Sequence, residues 1–344
     1  MKITSSINYE DAKKEFEDTL EFYGRTPAHT LYGSLDDAKM HYAKAHPALF
    51  SNENNGYLKA EGIPNGASVF TIAASYDTAL DLVGLGARDI YSIDINAKQF
   101  FIDCLKIWSA YYLTFDEFYW FLIYPLSDKF LSEKTMDYIL SKVPESPAHM
   151  YWYLIYNKGG RDLLQEWVLL DEHNFKKHQS MRVTPYLYVK SKEFYEKVRE
   201  GLESAYFRFE TSDAMNIGSL NLPDNIFDCA LLSNIHNFIE PSEFYKVVTE
   251  KIMPLLKESG WLSYYEIERK PEWFSMLKKG ETPKITKDDF LGNPDNGGYQ
   301  LLLSLELYKM FVSGNFDSTI YSLSTGGGFK RIKTDRDCAI VIHK

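Results

Sequence analysis

The residues of this chain best placed to do chemistry stand at the ends of short apolar runs. Asp94 closes the run "RDIYSIDIN" and lies 19 positions after Ser75 (94 minus 75). That offset is close to the roughly 20 residues at which an acid after a strand meets a ribose hydroxyl pair. A carboxylate accepts two hydrogen bonds in a fork, which matches vicinal hydroxyls. Capping of a helix that opens near Asn96 is the other reading of the Asp94-Ile95-Asn96 corner. Upstream, Ala74-Ser75-Tyr76-Asp77 makes a polar elbow after the run "ASVFTIAA". A pyrophosphate needs glycine there, because backbone must approach it closely at a helix N-terminus. Tyr76 occupies that place, so NAD, FAD and ATP fit poorly.

A cofactor with ribose and adenine but no phosphate has a weaker need for glycine. S-adenosylmethionine is such a molecule, and a helix N-terminus favours its single carboxylate by roughly 0.3–2 kcal/mol. Asp77 reads either as a partner for its ammonium or as a helix cap. Ser212-Asp213-Ala214 follows a third run, where Asp213 meets an adenine amino group or caps a turn. Ser233, Asn234 and His236 follow a fourth run, "CALLSNIHNF", where the transferred group faces its acceptor. The Asn234 amide can fix either substrate. His236 reads as a catalytic residue or as a structural histidine beside apolar neighbours. Tyr265 and Glu266 end a fifth run.

Other chemistry is thinly represented. No HExxH, GxSxG or GxxxxGK[ST] occurs, and His173 and His178 are five apart, not the four that share a helical face. No metal site is expected. "STGGGF" precedes the last strand and reads as a helix-ending turn. Cys104, Cys229 and Cys338 are widely spaced and odd in number, which fits a reducing compartment. A formal charge of -10 without a basic stripe argues against a general nucleic-acid partner. The N-terminal residues carry no apolar leader pattern, so a cytoplasmic location is expected. Trp108 to Leu126, interrupted by Asp116 and Glu117, is too polar to span a bilayer. Peripheral membrane contact stays open, as does the oligomeric state.

Positioning these residues requires parallel strands that end side by side. The runs "ASVFTIAA", "RDIYSIDIN", "AYFRFE", "NIFDCALLSN" and "WLSYYEIE" alternate with helical stretches. This pattern predicts an α/β fold with a doubly wound, Rossmann-like, mostly parallel sheet. A hairpin at the C-terminus, turning at "DRDC", adds an antiparallel edge strand. The expected organisation is an N-terminal helical segment over 1–66 and a Rossmann-like domain over 67–344. Within the N-terminal segment, "NENNGYLKAEGIPNG" is a turn-rich linker into the first strand. A helical insertion over 97–204, rich in aromatic residues, interrupts that domain as acceptor pocket or lid.

The stretches "TIAASYDTALDLV", "SIDIN" and "ALLSNIHNFI", with "TPYLYVKSKEFYEKVR" ahead of the third strand, resemble class I S-adenosylmethionine-dependent transferases. The nearest resemblance is to S-adenosylmethionine:diacylglycerol 3-amino-3-carboxypropyltransferases and their bacterial relatives, over Ser68 to Glu268. It implies Ser75 and Asp77 in the cofactor loop, Asp94 at the ribose, Asp213 at the adenine, and Asn234 with His236 at the transfer site. It departs at Tyr76, where the family has glycine, and at "SNIHN", where it has an acidic stretch. The function expected is transfer of a 3-amino-3-carboxypropyl or methyl group to a small-molecule or lipid-like acceptor. The alternative is a non-catalytic protein that binds a nucleoside ligand or a partner on the same fold.

Overall fold

The structure is a computed structural model, which describes residues 1–22, 55–74, 76–124, 127–159, 186–269, 271–284, 294–323 and 336–344. The strands are β1 (Lys2–Ser5), β2 (Ser68–Ile72), β3 (Asp89–Asp94), β4 (Tyr206–Thr211), β5 (Phe227–Leu231), β6 (Leu256–Arg269), β7 (Asp317–Leu323) and β8 (Arg336–His343). They form one sheet in the order β1-β4-β3-β2-β5-β6-β8-β7. Pairing is parallel from β1 through to β6, and β8 runs antiparallel to both β6 and β7. The architecture is therefore the doubly wound α/β sheet that the alternation predicts. Its C-terminal pair lies at the far edge, with β8 inserted between β6 and β7. Arg336 to Cys338 of "DRDC" belong to β8 and not to a turn.

The central strands β2, β3 and β5 are buried on both faces, which is why they read as apolar runs. Val69 enters one core and Phe70 the other. The first face carries α1 (Tyr9–Phe22), α2 (Leu58–Glu61), α3 (Asp77–Leu85), α4 (Ala97–Tyr112) and α9 (Lys192–Ser204). Between α4 and α9 lie α5 (Phe115–Phe118), α6 (Glu133–Lys142), α7 (Pro147–Leu154) and the short α8 (Leu187–Lys190). The second face carries α10 (Pro241–Val247), α11 (Pro271–Lys278) and α12 (Pro294–Ser313). No helix among the described residues is long and apolar enough to cross a membrane.

Three sequence expectations change. The N-terminal segment is not wholly helical, because Lys2–Ser5 pairs with β4 as an outer strand. Four residues are too few to show an alternating pattern, and the strand exists through its partner. Residues 55–61 form helical turns and not a linker, held by a Tyr57 hydroxyl to Ser263 Oγ contact of 2.8 Å. The ends of the 97–204 block also belong to the sheet layer. Phe100 of α4 packs its ring 5.3 Å from Phe209 of β4, and α9 lies against α3. Among the described residues, α5 to α8 stand between those sheet-packed helices.

The α3–α9 contact is close because each helix offers a glycine. A Cβ on Gly84 would stand 2.7 Å from the Phe194 ring, and one on Gly201 2.7 Å from Val83 Cγ1. The sequence suggests that Gly84 and Gly86 both end α3. Only Gly86 does so, at φ 125°, while Gly84 sits inside the helix and admits α9. The stretch "STGGGF" lies outside the described residues, as do His173 and His178.

Candidate functional site

Strand order reverses between β2 and β5. From β2 the chain moves to β3 and then β4 on one side, and from β5 to β6 on the other. In open parallel sheets, ligands bind beyond the carboxyl ends of the strands at such a point. Here those ends carry Ala74 after β2, Asp94 and Ile95 at β3, Ser212 to Ala214 after β4, and Ser233 with Asn234 after β5. All are half-buried, between strands whose middles are buried. Ser75 lies outside the described residues.

The elbow after β2 keeps the backbone of a glycine loop without its glycines. Ala74 has φ 36° and Tyr76 φ 56°, both left-handed. Such conformations cost a non-glycine residue roughly 1–2 kcal/mol each, so side-chain anchors are needed. Tyr76 supplies one. Its ring lies 5.7 Å from Phe207 and its hydroxyl bonds to Ser92 Oγ, entirely inside the core. Tyr76 therefore neither stacks on a ligand nor fills the ligand's place. The hydroxyl is held well above its usual titration range, chiefly by burial and by the nearby Asp103.

Asp77 supplies the second anchor, and its expected role is corrected. Its carboxylate does not face a ligand ammonium. Oδ1 accepts a 2.8 Å hydrogen bond from Lys106 Nζ and a 2.5 Å bond from the Tyr188 hydroxyl, with both ionic side chains fully buried. Asp81, one turn on, accepts from the Leu187 and Tyr188 amides at 3.0 and 2.9 Å and from Asn55 Nδ2 at 2.9 Å. Burial raises Asp81 to about 7 against those bonds. Asp103 Oδ1 accepts from Gln99, and burial carries its carboxyl well above the ordinary range. The cluster thus reads as a Lys106–Asp77 ion pair beside Asp103, a buried acid whose carboxyl is shifted upward. Sequence reading missed Lys106 and Tyr188. The legible signal was a lysine inside the apolar run "FFIDCLKIW".

Asp94 is the acid that the strand ends present. Its Oδ1 accepts from the Asn96 amide at 2.9 Å and its Oδ2 from the Ala74 amide at 3.4 Å, so it joins the elbow to the end of β3. Burial raises it to about 6, opposed by backbone amides of Asn96, Ala74 and Ile95. The cap of α4 is Asn96, whose Oδ1 accepts from the Lys98 amide at 3.0 Å. Asp94 is therefore not that cap, and Asn96 spends its side chain on the helix. At the next strand end, Asp213 Oδ1 accepts from the Met215 amide at 2.9 Å and caps a short 3₁₀ turn. Ser212 Oγ donates to the Asp213 carbonyl, beside Ala214.

After β5, Ser233 takes φ 52° and its carbonyl accepts from the Tyr265 amide at 2.7 Å. Asn234 is half-buried and makes no capping bond of its own. His236 is turned inward, 3% exposed, its ring 4.9 Å from that of Tyr264. Its Nε2 lies 2.7 Å from Glu266 Oε1, and Glu266 Oε2 accepts from Ser304 Oγ at 3.0 Å. This buried chain ties β5, β6 and α12 together beneath the strand ends. No group of three or more acidic, His or Cys side chains suited to a metal occurs among the described residues. Cys104, Cys229 and Cys338 are buried and form no disulfide.

No protein-family model and no curated protein matches the chain. Solved structures do. A SAM-dependent methyltransferase from Aquifex aeolicus shares 13% identity over 83% of this chain and 86% of its own, at a TM-score of 0.31. N-methyltransferase NodS from Bradyrhizobium japonicum WM9, in complex with S-adenosyl-l-homocysteine, shares 6% over 98% and 97%, at 0.35. A third, concerned with conversion of a disulfide bond into a thioacetal group during echinomycin biosynthesis, shares 9% over 89% and 90%, at 0.38. Likeness at this level extends to no substrate and no reaction.

Proposed function

We propose that this protein is an S-adenosylmethionine-dependent transferase acting on a small-molecule or lipid-like acceptor. The observation that carries the reading is Asp94. It is a half-buried carboxylate at the strand-order reversal, bracketed by amides of Ala74 and Asn96, beside an elbow whose backbone is left-handed without glycine. A carboxylate has about four acceptor positions, more than those amides use, so the ribose hydroxyl pair finds partners there. The residues fit the nucleoside half of the cofactor. They offer no ammonium partner at Asp77, which is spent on Lys106.

When bound, S-adenosylmethionine supplies a sulfonium carbon open to displacement. The protein's part is alignment, which supplies about 7–11 kcal/mol where reacting atoms are held in line. A general base adds about 10²–10⁴-fold. We assign the ribose end to Asp94 and Ile95, the adenine end to Ser212, Asp213 and Ala214, and the transfer end to Ser233 and Asn234. Ala74, Ser75, Tyr76 and Asp77 contribute through the elbow backbone, and His236 by holding the turn after β5. The family resemblance over Ser68 to Glu268 favours 3-amino-3-carboxypropyl transfer and the commoner chemistry of such folds favours methyl transfer, so the by-product decides between them.

A second reading, ligand binding without transfer, is favoured by the described residues that directly follow β5. Positions 232–236 offer no exposed titratable group, since His236 is buried. Two measurements decide. S-adenosylmethionine and S-adenosylhomocysteine should raise the melting temperature and NADH should not; failure of both ligands removes the cofactor reading. Mass spectrometry after turnover with cell extract then reads the by-product. Methylthioadenosine indicates aminocarboxypropyl transfer, S-adenosylhomocysteine indicates methylation, and neither leaves the non-catalytic protein.

A further inference from the structure

Tyr188 stands in "TPYLYVKSKEFYEKVR", a stretch that the site above does not absorb. It opens the described residues that lead from the helical insertion back toward β4. Its backbone and side chain both end on α3. The Leu187 and Tyr188 amides donate to Asp81 at 3.0 and 2.9 Å, and the Tyr188 hydroxyl donates to Asp77 at 2.5 Å. Tyr188 is fully buried, its ring edge-on to Phe118 of α5 and stacked beside Tyr186. One side chain thus touches the insertion at its ring and the first turn of α3 at its hydroxyl.

Asp77 directly follows left-handed Tyr76. The elbow leaves β2, passes Ala74 and enters α3 with its exit fixed by where the Asp77 side chain is held. Lys106 from α4 and Tyr188 from the insertion share the same Oδ1 atom. Moving Tyr188 would remove one of the hydrogen bonds that hold this buried acceptor in place. We infer that Tyr188 is a positioning residue that couples the insertion to the cofactor elbow, so that cofactor affinity depends on how the insertion is seated. The inference rests on the proposed cofactor. It goes beyond it in linking the acceptor-side helices to cofactor binding.

The coupling is reciprocal: a ligand that holds the elbow must also steady what the elbow is tied to. In the wild-type chain, hydrogen exchange is followed at the Leu187 and Tyr188 amides with and without saturating S-adenosylhomocysteine. Protection rising by about threefold or more supports the coupling, and unchanged exchange at those amides overturns it. In parallel, Tyr188→Phe should weaken S-adenosylhomocysteine binding by about fivefold or more. Tyr195→Phe is the control, because that buried hydroxyl donates to the Leu113 carbonyl, away from the elbow. It should lower the melting temperature and leave affinity alone. A folded Tyr188→Phe protein with wild-type affinity overturns the inference whatever its melting temperature. If that variant does not fold, the wild-type exchange result decides. Should the wild-type protein bind no S-adenosylhomocysteine at all, the functional proposal fails first and the coupling with it. Binding without added protection removes the coupling alone.

Discussion

Asp94 concentrates the functional expectation in one side chain. Asp94→Ala should weaken S-adenosylhomocysteine binding by about tenfold or more in a calorimetric titration, and unchanged affinity would withdraw the ribose role. Its raised value, about 6, sets a pH dependence. Ribose hydroxyls donate to the ionised carboxylate, so affinity should hold above that pH and fall below it as the group protonates. In Asp94→Asn this inflection should vanish. Asp77 and Lys106 pose a different question, because both are buried and paired. Removing one partner of such a pair costs about 3–5 kcal/mol, whereas replacing both by apolar groups is often nearly neutral. Lys106→Met should therefore destabilise strongly in urea, and Asp77→Leu in the same chain should restore much of the loss. The position of Asp94 was legible from spacing alone. The partner of Asp77 was not, because it lies 29 residues on (106 minus 77), and a lysine inside an apolar run does not tell which acid it meets. Tyr76 misled for a related reason. A sequence shows which residue stands in an elbow, but not whether its ring points up toward a ligand or down into the core.

At the scale of elements, the sheet-packed helices α3 and α9 depend on absent side chains. Gly201→Ala would bring a methyl group against Val83 Cγ1 at 2.7 Å and its carbonyl at 3.0 Å. Overpacking of this kind costs about 1–3 kcal/mol, which a urea midpoint should record with little change in slope. The inner strands were legible because burial on both faces leaves a plain apolar run, as in "ASVFTIAA" and "NIFDCALLSN". Helix α4 showed its period but not its place. Phe100 and Phe101 look alike in sequence, and only the fold shows that this helix lies on the sheet instead of opening the insertion. The turns at 55–61 were hidden by glycine and asparagine, which read as a linker until Tyr57 finds Ser263.

For the whole molecule, β1 closes one side of the sheet. It is short and begins with Lys2, features that discourage pairing with another chain. Deleting residues 1–6 would bare the outer edge of β4, a longer strand with buried Phe207 and Phe209. Sedimentation at increasing concentration should then show more self-association than the full chain does. The same pairing carries a consequence in time. Lys2 meets Tyr206, a separation of 204 residues (206 minus 2). At about 5–20 residues per second on the ribosome, β1 waits roughly 10–40 s for its neighbour. An outer strand of the finished sheet thus leaves the ribosome 204 residues ahead of the partner it needs, and it stays unpaired until that partner has followed.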